Sequence, residues 1–600
     1  GRGDCRRVGE ALGLTGSGRR GPDMSQLILS AHSGSHDAVA AVFVDYELKA
    51  AVQLERLTRR KSDGREHPDL AIDEVLSIAG ATRNDVDVVC FSRSEFTTIF
   101  YRNIRGVRWI REKYRRYVEG NTRRYMPPEF LRYHTAKIDD IFDVAKFRRA
   151  GGFRDDAAMF FYNHHESHAL APLFYTDWDD ALLVTADGGG DTVNYSHRHF
   201  ADGALTTIYG GEECLLDPLP TDSLGHAYET VTGALGFIPR RHEGKLTGLA
   251  AFGQPVLAEK IGGHFSVDDS GRVRSDFRDF RDLHDTIRSL AVSVSREDAA
   301  ASIQQVLEDT MLRSVERLLQ RHKARHLGLA GGVFANVRLN RVLAERLPLD
   351  EIFVFPAMGD EGMPAGGALC YLLQRDGLRY WLTQRHRLRD MYFGRDYTGA
   401  IDATLKATAG VRRTAETPID GAAKRLHAGQ LGAIYTGRME YGPRALGARS
   451  ILANPSRRET HDLLNQRLAR SEFMPFAPVI TEEKAATVFD VNPVNAYACR
   501  FMTITCNVKP QWRERIAAVV HVDGSARPQT IARDTNPLYY DILAAFERDS
   551  GLPVLVNTSF NVHEEPIVNK PSECVKALLD GRIDFIVTTQ GIYERASAAE

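Results

Sequence analysis

The sequence predicts a mixed α/β protein of two domains, the first built on a duplicated phosphate-binding unit. Three observations carry this expectation. Six hundred residues exceed what one compact core normally accommodates. A pattern of apolar strand, Gly-rich turn with an acid, and second strand occurs twice, which is the trace a duplicated unit leaves. A third stretch runs from a strand through paired glycines into a helix, a ready anion site because the first helical N–H groups lack intrahelical partners.

Residues 1 to 23 are dominated by Gly, Arg and Asp and read as an extension ahead of the fold. Leu27-Ile28-Leu29 then leads into the turn Ser33-Gly34-Ser35-His36-Asp37. Ala38 to Val44 and Leu48 to Leu54 flank Asp45-Tyr46-Glu47 and predict a hairpin. The grammar returns at Ala181 to Ala186, followed by Asp187-Gly188-Gly189-Gly190-Asp191 as a turn and Thr192 to Tyr195 as a strand. Glycines there let backbone N–H groups approach phosphate oxygens, and a flanking acid can hold a metal. His326 to Ala330 runs into Gly331-Gly332 and a helical pattern. Glu351 to Pro356 reads as a buried strand ending near Gly359-Asp360-Glu361-Gly362, with a helix from Pro364 to Leu373. The Arg-rich stretch 374–398 reads as a solvated helix face and marks the expected boundary between a domain at 24–395 and one at 396–600.

Composition narrows the class. The 43% hydrophobic and 26% charged content is that of an ordinary globular chain. A formal charge of −2 argues against a protein that coats nucleic acid. No apolar run reaches membrane-spanning length and no secretory leader pattern is read, so a cytoplasmic enzyme without a membrane partner is expected. Seven scattered cysteines without a CxxC fit reduced thiols rather than a zinc cage. Oligomeric state is not legible.

The sharpest local signal is Asn163-His164-His165-Glu166-Ser167-His168-Ala169. On a helix, His164 and His168 are one turn apart and face the same way. Asp187 and Asp360, each at a strand end, complete a candidate metal set. Alone, the histidine pair reads equally well as plain surface or core residues; the two acids tip the reading to a metal, and His/Asp ligation with open positions suits Fe(II) or Mn(II). His36 is either a turn-capping histidine or a base on an acceptor hydroxyl. Lys61 is either a solvated lysine or a phosphate partner. In the second domain, Arg444 and Arg449 lie five apart in a Gly-rich stretch, a natural phosphate clamp, to which Arg527 adds a third guanidinium. Asn557-Thr558-Ser559 offers polar donors and acceptors.

Taken together, these motifs resemble the O-carbamoyltransferases of antibiotic and Nod-factor tailoring, the NodU/CmcH family. The matching pieces are HDAVAAV from His36, ERLTRRK to Lys61, NHHESHA from Asn163, DGGGD from Asp187 and SLGHAYETVTGALGF from Ser223. EGKLTGLAAFG from Glu243, LAGGVFANVRLN from Leu329, GDEG, MEYGPRALGARSILANP, HVDGSARPQT and PVLVNTSFN follow in the family's order, over nearly the whole chain.

The resemblance implies an actin-like (ASKHA) metal-binding domain followed by a YrdC-like domain. The second would make carbamoyl-AMP from carbamoyl phosphate and ATP, with Mg(II) as counter-ion. The first would pass the carbamoyl group to a hydroxyl-bearing small molecule of antibiotic, sugar or polyketide type. Carried over by motif, His164, His168, Asp187 and Asp360 hold Fe(II) or another divalent metal. His36 and Lys61 are catalytic, and Lys245, Gly331, Gly332, Asn336 and Asp191 contact nucleotide. Arg444, Arg449, Arg470, Arg527, Asn557 and Ser559 serve carbamoyl phosphate. One departure stands out. Relatives carry Lys and Arg in a KxRExxRPFAP-like pattern, whereas Ala469 and Met474 occupy those places here and Arg470 is the substitute. Two rival classes are an RNA-modifying carbamoylation enzyme and a non-catalytic nucleotide-binding scaffold. Near-neutral charge without an RNA module weighs against the first, and an arginine-bearing second domain against the other.

Overall fold

The computed structural model describes residues 25–34, 36–64, 67–92, 100, 143–211, 214, 219–469 and 475–596. The N-terminal extension, most of the stretch 96–149, Arg470 and Met474 lie outside the described residues.

The N-terminal half contains two five-stranded sheets of one topology. The first comprises β1 (Leu27–His32), β2 (Val39–Val44), β3 (Glu47–Gln53), β4 (Val88–Ser92) and β5 (Ala158–Tyr162), in the order β3-β2-β1-β4-β5. β1 to β3 are antiparallel, while β4 and β5 add in parallel. β6 (Asp180–Gly190), β7 (Val193–Ala201) and β8 (Ala204–Tyr209) are followed by the small ribbon β9 (Phe265–Val267) and β10 (Val273–Ser275). With β11 (His326–Ala330) and β12 (Glu351–Val354) the second sheet runs β8-β7-β6-β11-β12, again three antiparallel strands and two parallel ones. The repeated strand grammar thus reports a real duplication. β1 and β4 lie inside their sheet and are almost wholly buried, which is why they read as continuous apolar runs rather than alternating ones.

The second Gly-rich segment differs from expectation. β6 continues through Gly188, Gly189 and Gly190 after a register shift, and Gly190 pairs with Val193. The reversal falls on Asp191 and Thr192, at φ 45° and 70°. Positive φ at both central residues is what a two-residue hairpin of matching twist demands, so the chain turns two residues later than composition suggested.

Helices His164–Phe174 and Met363–Asp376 share one buried cluster with Ile28 and Val88 of the first sheet and Leu183 and Phe353 of the second. Each fully buried Leu or Phe in that layer contributes about 1.5–3 kcal/mol. The helices approach closely at Gly366, where a Cβ would lie 1.8 Å from the Ser167 carbonyl oxygen. Any larger residue there would push apart the helix that carries the candidate ligands.

The C-terminal half centres on an eight-stranded sheet in the order Val411–Arg413, Ile592–Arg595, Phe585–Val587, Gly432–Tyr435, Arg449–Ala453, Val554–Ser559, Ala477–Thr481, Gln529–Ile531. A separate strand, Tyr392–Asp396, pairs with Arg438–Glu440, so the line expected at 395/396 falls within a paired strand. The Arg-rich stretch before it is solvated at Arg375, Arg379 and Arg389, as expected, but Arg385 and Arg387 turn inward. Arg385 donates to the Trp178 carbonyl at 2.8 Å, and Arg387 pairs with Asp177 at 2.8 Å while stacking on Tyr497. These guanidinium groups find carbonyl, carboxylate and aromatic partners between the halves, which local charge pattern does not reveal. Among the described residues, no helix is long and apolar enough to cross a membrane.

Candidate functional site

Asn163 caps the helix His164–Phe174, its side chain accepting the Glu166 N–H at 3.0 Å. The cap fixes where the helix begins and hence the phase that turns His164 and His168 to one side. Inside the helix, Pro172 has no N–H to give the His168 carbonyl. The loop side is equally determined. Asp191 accepts the His164 backbone N–H at 2.7 Å, and a Cβ at Gly190 would lie 2.2 Å from the His164 ring. Glycine is required at that position because imidazole occupies the space.

His164, His168, Asp187 and Asp360 converge, with one ligand atom of each within 4.8 Å of the others. His164 Nε2 is 3.7 Å from both Asp187 Oδ2 and Asp360 Oδ1; for His168 Nε2 the distances are 3.5 and 3.6 Å. These separations are too long for hydrogen bonds. They suit donors that share one ion at ligand distances of about 2.0–2.2 Å. Both Nε2 atoms and Asp360 Oδ1 are buried without a hydrogen-bond partner, a costly condition that a cation would relieve. The donor set therefore fits a divalent metal.

The electrostatics agree. Burial alone would lower the pKa of His168, but Asp187 and Asp360 outweigh it and lift it to about 9. His164 moves up for the same reasons. Burial raises Asp187 and Asp360, and Asp187 further raises Asp360, yet the two imidazoles hold both carboxyls below the ordinary range. Two part-buried carboxylates this close together demand positive charge, whether as protons on the histidines or as a metal.

Asp187 also joins this centre to the paired-glycine loop. Its Oδ2 accepts the Gly332 N–H at 3.1 Å and its Oδ1 that of Gly188 at 2.6 Å. Gly331-Gly332 and the cation pocket therefore form one continuous wall. Asn336 sits deeper, capping the helix Val337–Arg346 through Leu339 and exchanging two amide bonds with Gln304. Its amide holds that helix, and one carboxylate oxygen of Asp191 accepts the His164 N–H. Asn336 and Asp191, two of the residues expected at the nucleotide, hold elements of this wall.

His36 is half-buried beside the pocket, bonded through Nδ1 to Asp37 at 2.9 Å. Burial lowers its pKa, but the Asp37 bond and the charge of Asp360 raise it to about 9, so without a compensating cation it carries a proton at neutral pH. Lys61 is exposed and close enough to Glu564 to favour that carboxylate. Lys245 is buried on the short helix Glu243–Leu249.

Sequence reading missed four contributors, His32, Tyr441, Gln53 and Arg56. His32, wholly buried at the end of β1, brings Nε2 to 3.7 Å from Asp360 Oδ2. Its only sequence signal was a histidine at a strand end, next to the first Gly/Ser turn. Tyr441 donates its hydroxyl to the Glu361 carbonyl, while the Gly442 N–H reaches Gln53 Oε1 at 3.2 Å and Arg56 donates to the Gly442 carbonyl at 2.8 Å. The arginine-bearing loop of the C-terminal half is thereby docked on the N-terminal site.

Within that loop the two arginines diverge. Arg444 is part-exposed, but Arg449 is fully buried, donating to the carbonyls of Thr436 and Ala448 at 2.7 and 2.9 Å and lying over the Tyr435 ring. Arg449 thus braces the loop and is not half of an open clamp. Burial in strand Arg449–Ala453, not spacing, decides this. Asn557 donates to the Ala445 carbonyl at 3.1 Å and to Gln529 at 2.7 Å. Arg527 and Ser559 are both part-exposed. Arg470 lies outside the described residues.

The fold and site define a two-part protein with a divalent-cation pocket, and comparison with known proteins gives its class. Family models described as Carbamoyltransferase N-terminus and Carbamoyltransferase C-terminus match residues 28–369 and 423–595. An uncharacterized protein of Methanocaldococcus jannaschii is 32% identical, over 72% of this chain and 73% of its own length. Nodulation protein NolNO of Sinorhizobium fredii is 30% identical, over 94% of this chain and 80% of its own. Among solved structures, HypF of T. kodakarensis overlaps loosely, with TM-score 0.34 and 11% identity over 59% of this chain and 49% of that one. The chain belongs to the carbamoyltransferase family, of the NodU/CmcH type. It is a carbamoyltransferase enzyme.

Proposed function

We propose that the chain forms carbamoyl-AMP in a YrdC-like C-terminal domain, residues 396–600, and transfers the carbamoyl group in an actin-like N-terminal domain, residues 24–395. The acceptor is a hydroxyl of a small-molecule natural product and the setting is cytoplasmic. The observation that carries this reading is the docking of Tyr441 and Gly442 on Glu361, Gln53 and Arg56, which brings an arginine-bearing loop against the cation pocket.

In the first step, water opens carbamoyl phosphate to carbamate and inorganic phosphate. A carbamate oxygen then attacks the α-phosphorus of ATP, and the bond from that phosphorus to pyrophosphate breaks. Arg444, Arg527 and Ser559 meet the phosphate charge, with Asn557 and Arg449 holding their loops and Mg(II) accompanying ATP. In the second step, the acceptor oxygen bonds to the carbonyl carbon, the bond from that carbon to AMP breaks, and the hydroxyl proton passes to His36. Asp37 holds the ring through Nδ1, which leaves Nε2 to take that proton. Lys61, Lys245 and the Gly331–Gly332 loop bind the nucleotide phosphate.

His164, His168, Asp187 and Asp360 would hold the metal, Fe(II) in this reading. When bound, it supplies Lewis-acid stabilisation of phosphate and carbonyl charge. Enclosure between the halves shields the adenylate from water.

The test is carbamoyl-phosphate-dependent pyrophosphate release from ATP by the full chain with Fe(II), compared with His36→Ala. Release by both supports adenylation outside the His36 pocket. No release from the metal-loaded, folded wild type overturns the reading.

A further inference from the structure

Glu564 lies just past the Asn557–Asn561 motif at φ 62°, a backbone conformation that favours glycine. A charged residue kept in such a conformation calls for a compensating contact. Its carboxylate supplies one by crossing to the N-terminal half. One oxygen pairs with Arg241, and the other meets His242 Nε2 at 2.9 Å, with His563 Nε2 3.6 Å away. His242 is the residue from which the helix Glu243–Leu249, bearing Lys245, starts. Burial raises the Glu564 carboxyl, but the His242 bond and the charges of Lys61 and Arg241 bring it below its ordinary value.

The rest of this strap is held on both sides. Arg59 donates to the carbonyls of Pro566 and Ile567 at 2.6 and 2.7 Å. The His563 N–H reaches the Leu468 carbonyl at 3.0 Å. Residues 561–567 therefore sit on the segments carrying Lys61 and Lys245 while continuing directly from Ser559.

We propose that Glu564 is a positioning residue that locks the C-terminal strap onto the segments carrying Lys61 and Lys245 and so confines carbamoyl-AMP between the two halves. The inference rests on the carbamoyl-adenylate reading above. Glu564 touches no reacting atom in this account. It acts through Arg241 and His242, and its loss opens the seam without removing a phosphate-binding group.

Glu564→Gly separates this role from a merely structural one, because glycine relaxes the left-handed backbone while deleting both ionic contacts. The full chain, Fe(II)-loaded and in excess over ATP, is given carbamoyl phosphate and Mg(II) and passed through a filter that retains protein. Pyrophosphate and, by mass spectrometry, carbamoyl-AMP with its hydrolysis product AMP are measured in the filtrate. The expected result is an unchanged or higher melting temperature, pyrophosphate release within about twofold of wild type, and about a tenfold larger share of the nucleotide escaping. Arg241→Ala, which leaves the 564 backbone alone, is expected to leak likewise. Retention equal to wild type in both variants overturns the inference while leaving the adenylate reading intact. Absence of pyrophosphate release from wild type removes both.

Discussion

The carboxylate of Asp191 accepts the backbone N–H of His164 at 2.7 Å, tying the turn between β6 and β7 to the first residue of the helix that presents two candidate metal ligands. Asp191 thereby reinforces the helix start that the Asn163 cap defines. The bond satisfies one of the four N–H groups a helix start leaves open and places negative charge at its positive end.

Asp191→Ala is therefore expected to lower stability by about 1 kcal/mol through the lost cap and to weaken divalent-metal binding about tenfold by loosening His164. Asp191→Asn, which keeps an acceptor oxygen, should recover most of the stability. Thermal melts with and without added Fe(II), alongside anaerobic metal titration, read the two effects separately.

Metal removal should be visible in stability. A cation bound by His164, His168, Asp187 and Asp360 stabilises by mass action, about 2.7 kcal/mol at a free concentration one hundred times Kd. Chelation should lower the melting temperature of wild type but not of Asp360→Asn plus His168→Ala. Equal response to chelator in both proteins would place the metal elsewhere.

The two arginines of the Gly-rich loop are expected to fail differently. Arg449 is fully buried with its two terminal nitrogens donating to carbonyls, so Arg449→Ala should cost about 3–5 kcal/mol by leaving those carbonyls unpaired. Arg444 is part-exposed, so Arg444→Ala should leave the melting temperature within about 0.5 kcal/mol equivalent and raise the KM for carbamoyl phosphate. Denaturant unfolding and steady-state pyrophosphate release distinguish them.

His197 supplies a pH signature away from the site. It is completely buried on β7, and desolvation first, with Arg272 and Arg198 adding, lowers its pKa to about 3. The unfolded chain binds a proton near pH 6.5 that the folded chain refuses. Its contribution is thus complete above that pH and lost as pH falls from about 6.5 towards 3. By pH 5 the loss is roughly 2 kcal/mol. His197→Phe should flatten this part of the stability–pH curve measured by urea unfolding between pH 7 and 5.

Gly190→Ala tests the close packing at His164 directly. A methyl group 2.2 Å from the ring atom must displace the imidazole, so the variant should fold yet lose metal-dependent stabilisation. Melting temperatures with and without Fe(II) check it.

Much of the site was legible because it is local. The i, i+4 spacing of His164 and His168 needs only a helix, and Asp187 and Asp360 announce themselves at strand ends beside glycines. The duplicated grammar was legible for the same reason, since each strand pattern records which faces are buried. Where the second turn fell was not, because Gly188 to Gly190 are compatible with strand or loop and only pairing with Val193 decides. His32 and Tyr441 carried no usable signal, since their partners Asp360 and Glu361 lie far along the chain.

By itself, then, the order of residues determined the helix phase, the duplicated strands, the glycines and the stock of acids, imidazoles and guanidinium groups. Tertiary structure alone decided which of those groups remain available. It spent Asp191 on a helix start, Asn336 on Gln304 and Arg449 on backbone carbonyls, and drew Glu564 across to Arg241. The physical reason is that a polar group taken out of water must find a partner, and which partner lies within reach is set by packing between distant segments.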